Sequence, residues 1–139
     1  MSETVAGEWG RPVNTAAHQK GGIHDDETAA DLGFEGGTVA GSIHMEQFLP
    51  LLLDAFGDAW WSTGVLSMYF KQATVDREPV RCFLMPGNSG QARVWMENEE
   101  QQMIMEGTAN LGDCTLPTAL GARLEALRPA GELRILKNM

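Results

Sequence analysis

A chain of 139 residues that is 43% apolar has material for one hydrophobic core and not for two ordinary domains. Its 10 basic and 19 acidic side chains give a net charge of −9, which argues against nucleic acid and anionic membrane surfaces as partners. Cys82 and Cys114 make neither a CxxC pair nor a zinc-ligand spacing, and Met1 to Trp9 carries Glu3 and Glu8 where a secretion signal has a basic start; no stretch approaches the roughly 20 apolar residues of a membrane span. The expectation is a single soluble, cytoplasmic domain with no disulfide framework and no metal.

Residues 1–22 mix Gly, Pro, Asn and Thr with little periodicity, which predicts a loose N-terminal segment with one short strand around Arg11 to Thr15. Asp25 to Leu32 predicts a short helix, capped by Asp25 or Asp26 and stopped by Gly33. Gly36, Gly37 and Gly41 bracket Thr38-Val39-Ala40, a glycine-rich approach that lets backbone run close to another segment or a ligand, and Ser42 follows as a candidate helix cap. Ile43 to Phe56 predicts the main helix. Its apolar residues point in nearly every direction, which requires burial on most sides; Pro50 bends it and Gly57 ends it.

Four strand-length segments follow the Trp60-Trp61 pair: Gly64 to Lys71, Pro79 to Met85, Gln91 to Met96 and Gln102 to Ala109. Val80/Cys82/Leu84 and Ala92/Val94/Met96 alternate with Arg81 and Arg93, as half-buried strands do. Pro86 to Gly90 and Asn98 to Gln101 read as turns, so the strands form an antiparallel meander. Leu116 to Leu127 reads as a helix within a C-terminal extension, 112–139, and Leu133 to Leu136 as a short strand or tail. Helix first and consecutive strands after is the α+β pattern of one sheet with a helix packed on its face.

The local residues sharpen this. Ile23-His24-Asp25-Asp26, the run Ala29 to Gly41, and further on Leu66 to Ala73 and Glu78 to Cys82 resemble the MaoC-like hydratases over roughly residues 20 to 110. The resemblance implies a hotdog fold, an antiparallel sheet wrapped around one long central helix, and a homodimer around a groove that takes acyl-CoA or a similar small apolar ligand without a cofactor. In such hydratases an aspartate and a histidine manage a water that adds to an enoyl thioester, and backbone N–H groups at the start of the central helix hold the thioester oxygen. His24 matches the family histidine and Gly41 the glycine at the helix start. Gln19 stands where the aspartate belongs, Gly21-Gly22 replaces Asn-Pro, and Ala40-Gly41 replaces His-Gly.

The candidate catalytic residues are therefore His24 and, by resemblance to hotdog thioesterases with a carboxylate on this helix, Glu46. Gly22, Asp26, Gly41, Ser42 and His44 are the candidate substrate-binding residues. Each has a structural alternative: His24 as a polar residue beside the caps, Glu46 as a surface acid near a positive helix end, Asp25 and Asp26 as caps or as stand-ins for the missing carboxylate. His44 and Glu46 lie two positions apart and point in different directions. His18, His24 and His44 have no metal-ligand spacing. Trp60, Trp61, Met68, Tyr69 and Phe70 are candidates for an acyl pocket, the core or a dimer interface, and Lys71, Arg77, Arg81 and Arg93 for a cation cluster near the phosphates of coenzyme A. Three functions fit: a hydratase or dehydratase using His24, a thioesterase using Glu46, or a binding module without chemistry.

Overall fold

The computed structural model describes residues 3–128 and 131, so Leu133 to Leu136 lies outside the described residues. Five strands, β1 (Val5–Gly10), β2 (Gly64–Phe70), β3 (Val80–Pro86), β4 (Gln91–Asn98) and β5 (Met103–Leu111), form one antiparallel sheet in the order β1-β3-β4-β5-β2. The helices are α1 (Asp26–Asp31), α2 (Gly41–Glu46), α3 (Leu49–Phe56), α4 (Ala59–Thr63) and α5 (Ala119–Glu125). None of the described helices is long and apolar enough to cross a membrane.

The alternation read in β3 and β4 sets the inner face of the sheet. Val80, Cys82, Leu84, Ala92, Val94 and Met96 are buried against Phe48, Leu51 and Leu52, while Arg81 and Arg93 turn outward. In β5 the register slips between Met96 and Glu97 of its neighbour, so Ile104 and Met105 are both buried at a bulge. The Ile104 carbonyl accepts from the Lys71 and Gln72 N–H groups and pins the start of the β2–β3 connection, which carries part of the site described below.

Three expectations are corrected. The N-terminal strand is Val5–Gly10, not Arg11 to Thr15: Pro12 has no N–H to give a ladder, and a glycine-bearing stretch with weak β pattern is recruited as an edge through pairing with β3. The segment after it is not loose, because buried Asn14 donates from Nδ2 to the His24 carbonyl at 2.8 Å and from its backbone N–H to Asp76 Oδ1 at 2.7 Å. The main helix is two helices. Pro50 falls in the first turn of α3 and cannot donate to the Glu46 carbonyl, and the chain passes Gln47 and Phe48 through three-residue hydrogen bonds to His44 and Met45.

The central helix is also buried on one side only within the chain. Leu51 and Leu52 are buried, Leu49 and Leu53 half-buried, and Asp54 and Ala55 exposed, because one sheet covers one face. The helix α4 between Gly57 and β2 is a further element without a forecast; Phe56 stacks on Trp60 at 5.5 Å and brings it back onto the core.

Candidate functional site

The short helix α1 places the first half of the site. Asp25 occupies the N-cap position of α1 from a buried site without a side-chain bond to the helix amides; its carboxylate is held by Lys20 Nζ at 2.9 Å, Thr28 Oγ1 at 2.8 Å and the Gly21 N–H at 3.4 Å. The Lys20 hydrogen bond, followed by that of Thr28, holds this carboxyl down at about 2. Asp26 Oδ1 accepts from the Gly37 N–H at 2.8 Å, and the Thr38 N–H donates to the Ile23 carbonyl at 2.8 Å. Gly37 is required there: a Cβ would collide with the His24 carbonyl and lie 2.9 Å from Asn14 Nδ2. Asp26 thus ties the glycine-rich run beside His24, Asp25 ties Lys20 and Gly21 to the start of α1, and neither lines the cavity that His24 lines.

The β2–β3 connection supplies the other half. The Val39 N–H donates to the Thr74 carbonyl at 3.0 Å and Thr38 bridges Val75, so residues 71–75 are laid against the approach to α2. Between them lies a cavity of about 350 Å³ lined by His24, Gly41, His44, Phe70, Lys71 and Thr74 among others. The Phe70 ring roofs Gly41 so closely that a Cβ on Gly41 would sit 2.6 Å from its Cζ atom.

Two histidines meet this cavity in different states. His24 Nδ1 lies 2.7 Å from the Thr38 carbonyl, which can only accept, so Nδ1 carries a proton and Nε2 is the ring atom left without a hydrogen-bond partner. His44 is buried, with Nε2 2.6 Å from Thr74 Oγ1 and Nδ1 without a partner. Burial drives its pKa down to about 4, so it is neutral at pH 7. At the start of α2 the Gly41 and Ser42 N–H groups have no hydrogen-bond partner among the described residues.

The structure therefore gathers His24, Gly41 and His44 at one cavity. Gly22, Asp26, Ser42 and Glu46 are not among its lining residues; Glu46 and Ser42 are exposed, and Gln19 is exposed on the preceding turn. No carboxylate lines the cavity. Of the aromatic candidates Phe70 lines it, Trp60 and Met68 pack on the core, Trp61 is exposed, and Tyr69 faces the outer side of the sheet with Glu106. Thr74 had no signal in the sequence, since Lys71 to Thr74 show neither period nor motif.

The four cations do not form one cluster. Arg77 pairs with its neighbour Asp76 at 3.6 Å, and Arg81 lies over the Trp9 and Phe83 rings, whereas Lys71 and Arg93 both reach Glu106. Among the described residues no group of three or more His, Cys, Asp or Glu could hold a metal. A larger cavity, about 530 Å³, lies at the other end of α3 between Phe56, Leu84, Pro86, Leu111 and Cys114, far in the fold from both histidines.

No family model and no curated protein matches the sequence. Solved structures do match. A C-terminally truncated HadBC complex, a 3R-hydroxyacyl-ACP dehydratase from Mycobacterium tuberculosis, superposes with TM-score 0.61 at 13% identity over 79% of this chain and 95% of that one. An (R)-hydratase from A. caviae involved in PHA biosynthesis gives 0.55 at 16% over the same shares, and an R-hydratase from Pseudomonas aeruginosa gives 0.57 at 13% over 79% of each chain. With the strand order and the helix across the inner face, this likeness identifies the fold: the chain has the hotdog fold that these structures share.

Proposed function

We propose that this protein handles acyl thioesters as a hydratase or dehydratase in which His24 moves the proton. The observation that carries this reading is that His24, whose Nε2 has no hydrogen-bond partner, and Gly41, whose N–H has none at the start of α2, line one cavity. In the hydration direction His24 Nε2 takes a proton from water as the water oxygen bonds to Cβ of the enoyl group. The double-bond electron pair moves onto the thioester oxygen, which the amides at the start of α2 receive. The imidazolium then returns its proton to Cα. Dehydration is the reverse.

Thr74 takes the place of the missing carboxylate as the second polar contact for the water. Its hydroxyl is fixed by His44, whose neutral ring exchanges no proton near pH 7. This differs from a carboxylate in chemistry: Thr74 orients the water and leaves the whole proton transfer to His24. The substrate class is an acyl-CoA or similar thioester, and the chemistry needs no cofactor. The test is water addition to enoyl thioesters, followed at the double bond and at the released thiol separately.

The reading includes a homodimer. Among the described residues strand β2 pairs only with β5 and leaves its other edge open, with Phe70 49% and Trp61 66% exposed. Light scattering is expected to give about twice the 15.1 kDa chain mass, and a monomer at micromolar concentration would remove the second copy from the site.

A further inference from the structure

Basic residues are scarce in this chain, yet three of them converge on the outer face of the sheet next to the His24 cavity. Glu106 of β5 stands opposite Tyr69 of β2, and its carboxylate accepts the Tyr69 hydroxyl, Lys71 Nζ at 2.7 Å and Arg93 Nη2 at 3.0 Å. The Arg93 guanidinium also lies over the Trp95 ring at 4.8 Å, and that of Arg123, from α5, over the Tyr69 ring at 4.5 Å. Arg123 has no carboxylate partner among the described residues. Glu97, another acid on this face, is engaged by Trp95 Nε1 at 2.9 Å.

Lys71, Arg93 and Arg123 outnumber Glu106 and Glu97 here, which leaves this spot positive in a protein of net charge −9. The hydrogen bond from Lys71, then that from Tyr69, keeps the Glu106 carboxyl at about 2, so it remains an anion that orients its cations instead of releasing them. Two arginine planes braced by rings and an anion are already ordered before a ligand arrives. The small side chains of Ala119 and Ala122 leave a cavity of about 300 Å³ between them, Tyr69 and Arg123. Lys71 joins the two places: it lines the His24 cavity, and its ammonium group sits on Glu106.

We infer that Arg93 and Arg123, with Lys71 at the crossing, form an anion subsite for a phosphate on the carrier arm of the thioester whose acyl end lies beside His24. This rests on the thioester reading of the His24 cavity. The same phosphate-bearing arm is offered by coenzyme A and by the phosphopantetheine group of a carrier protein, and the subsite recognises the chemistry they share. Guanidinium groups suit it because they give paired, planar donors to phosphate oxygens.

The experiment is calorimetric binding of coenzyme A, 4′-phosphopantetheine and pantetheine to the intact chain, repeated with Arg123→Gln, Arg93→Gln and the double variant. The two phosphorylated probes are expected to bind at least tenfold more tightly than pantetheine, with the difference shrinking as salt rises and vanishing in the double variant. Equal affinity for coenzyme A and phosphopantetheine assigns the contact to the arm's own phosphate; tighter coenzyme A assigns it to the nucleotide phosphates. Arg123→Gln removes an exposed side chain of α5 and preserves the test should Arg93→Gln unfold. Equal binding of all three probes, no binding of any, or a phosphate preference that survives the double variant would overturn the subsite. Phosphate-dependent binding without turnover of any enoyl thioester would leave the subsite standing and defeat the lyase reading, so the two failures are distinguishable.

Discussion

Replacing His24 with alanine is expected to lower water addition to an enoyl thioester by about 10²–10⁴-fold, the range that a positioned general acid–base group contributes. The side chain is half-buried, and its one hydrogen bond, to the Thr38 carbonyl, sits in a loop that the Asp26–Gly37 and Ile23–Thr38 bonds hold independently. The variant should therefore melt close to the wild-type temperature while losing turnover. No carboxylate is among the lining residues, and burial leaves His44 a weak base at about 4, so neither takes the place of His24. A variant that folds and retains most of its turnover would remove His24 from the chemistry.

Phe48→Ala is expected to cost about 3–5 kcal/mol of folding stability, the range for truncating a buried phenylalanine. Phe48 is 0% exposed and sits where α2 gives way to α3, so its ring fills the space under the break and touches the inner face of the sheet. Pro50 interrupts the ladder of backbone hydrogen bonds at this point, so burial of the ring is expected to help hold the two short helices in line. Chemical denaturation should show a lower midpoint with the slope little changed. A loss below about 1 kcal/mol would mean that the break collapses onto the space and that the core does not depend on this ring.

The sheet was readable because its signal is local. Val80/Cys82/Leu84 and Ala92/Val94/Met96 alternate against Arg81 and Arg93, the first run ends in the Pro86 to Gly90 turn, and the second in the Asn98 to Gln101 turn. The first strand was not, since Val5–Gly10 has two glycines and becomes a strand only through its partner β3. The break at Gln47–Phe48 was half legible: Pro50 marks a lost hydrogen bond, but whether a proline bends a helix or opens its first turn depends on packing. His24 and Gly41 could be found because they sit in a stretch that resembles a known signature. Thr74 and Arg123 could not, because their roles depend on residues 30 and 54 positions away, His44 and Tyr69, that only the folded chain brings alongside.

The central claim is that the cavity between the glycine-rich run and the β2–β3 connection adds or removes water at an acyl thioester. Purified protein supplied with a short panel of enoyl- and acyl-CoA thioesters tests it, with the double bond and the free thiol followed in separate channels. The structure predicts loss of the enoyl double bond with no thiol release, abolished in His24→Ala. Thiol release without loss of the double bond, or silence in both channels across the panel, would contradict it.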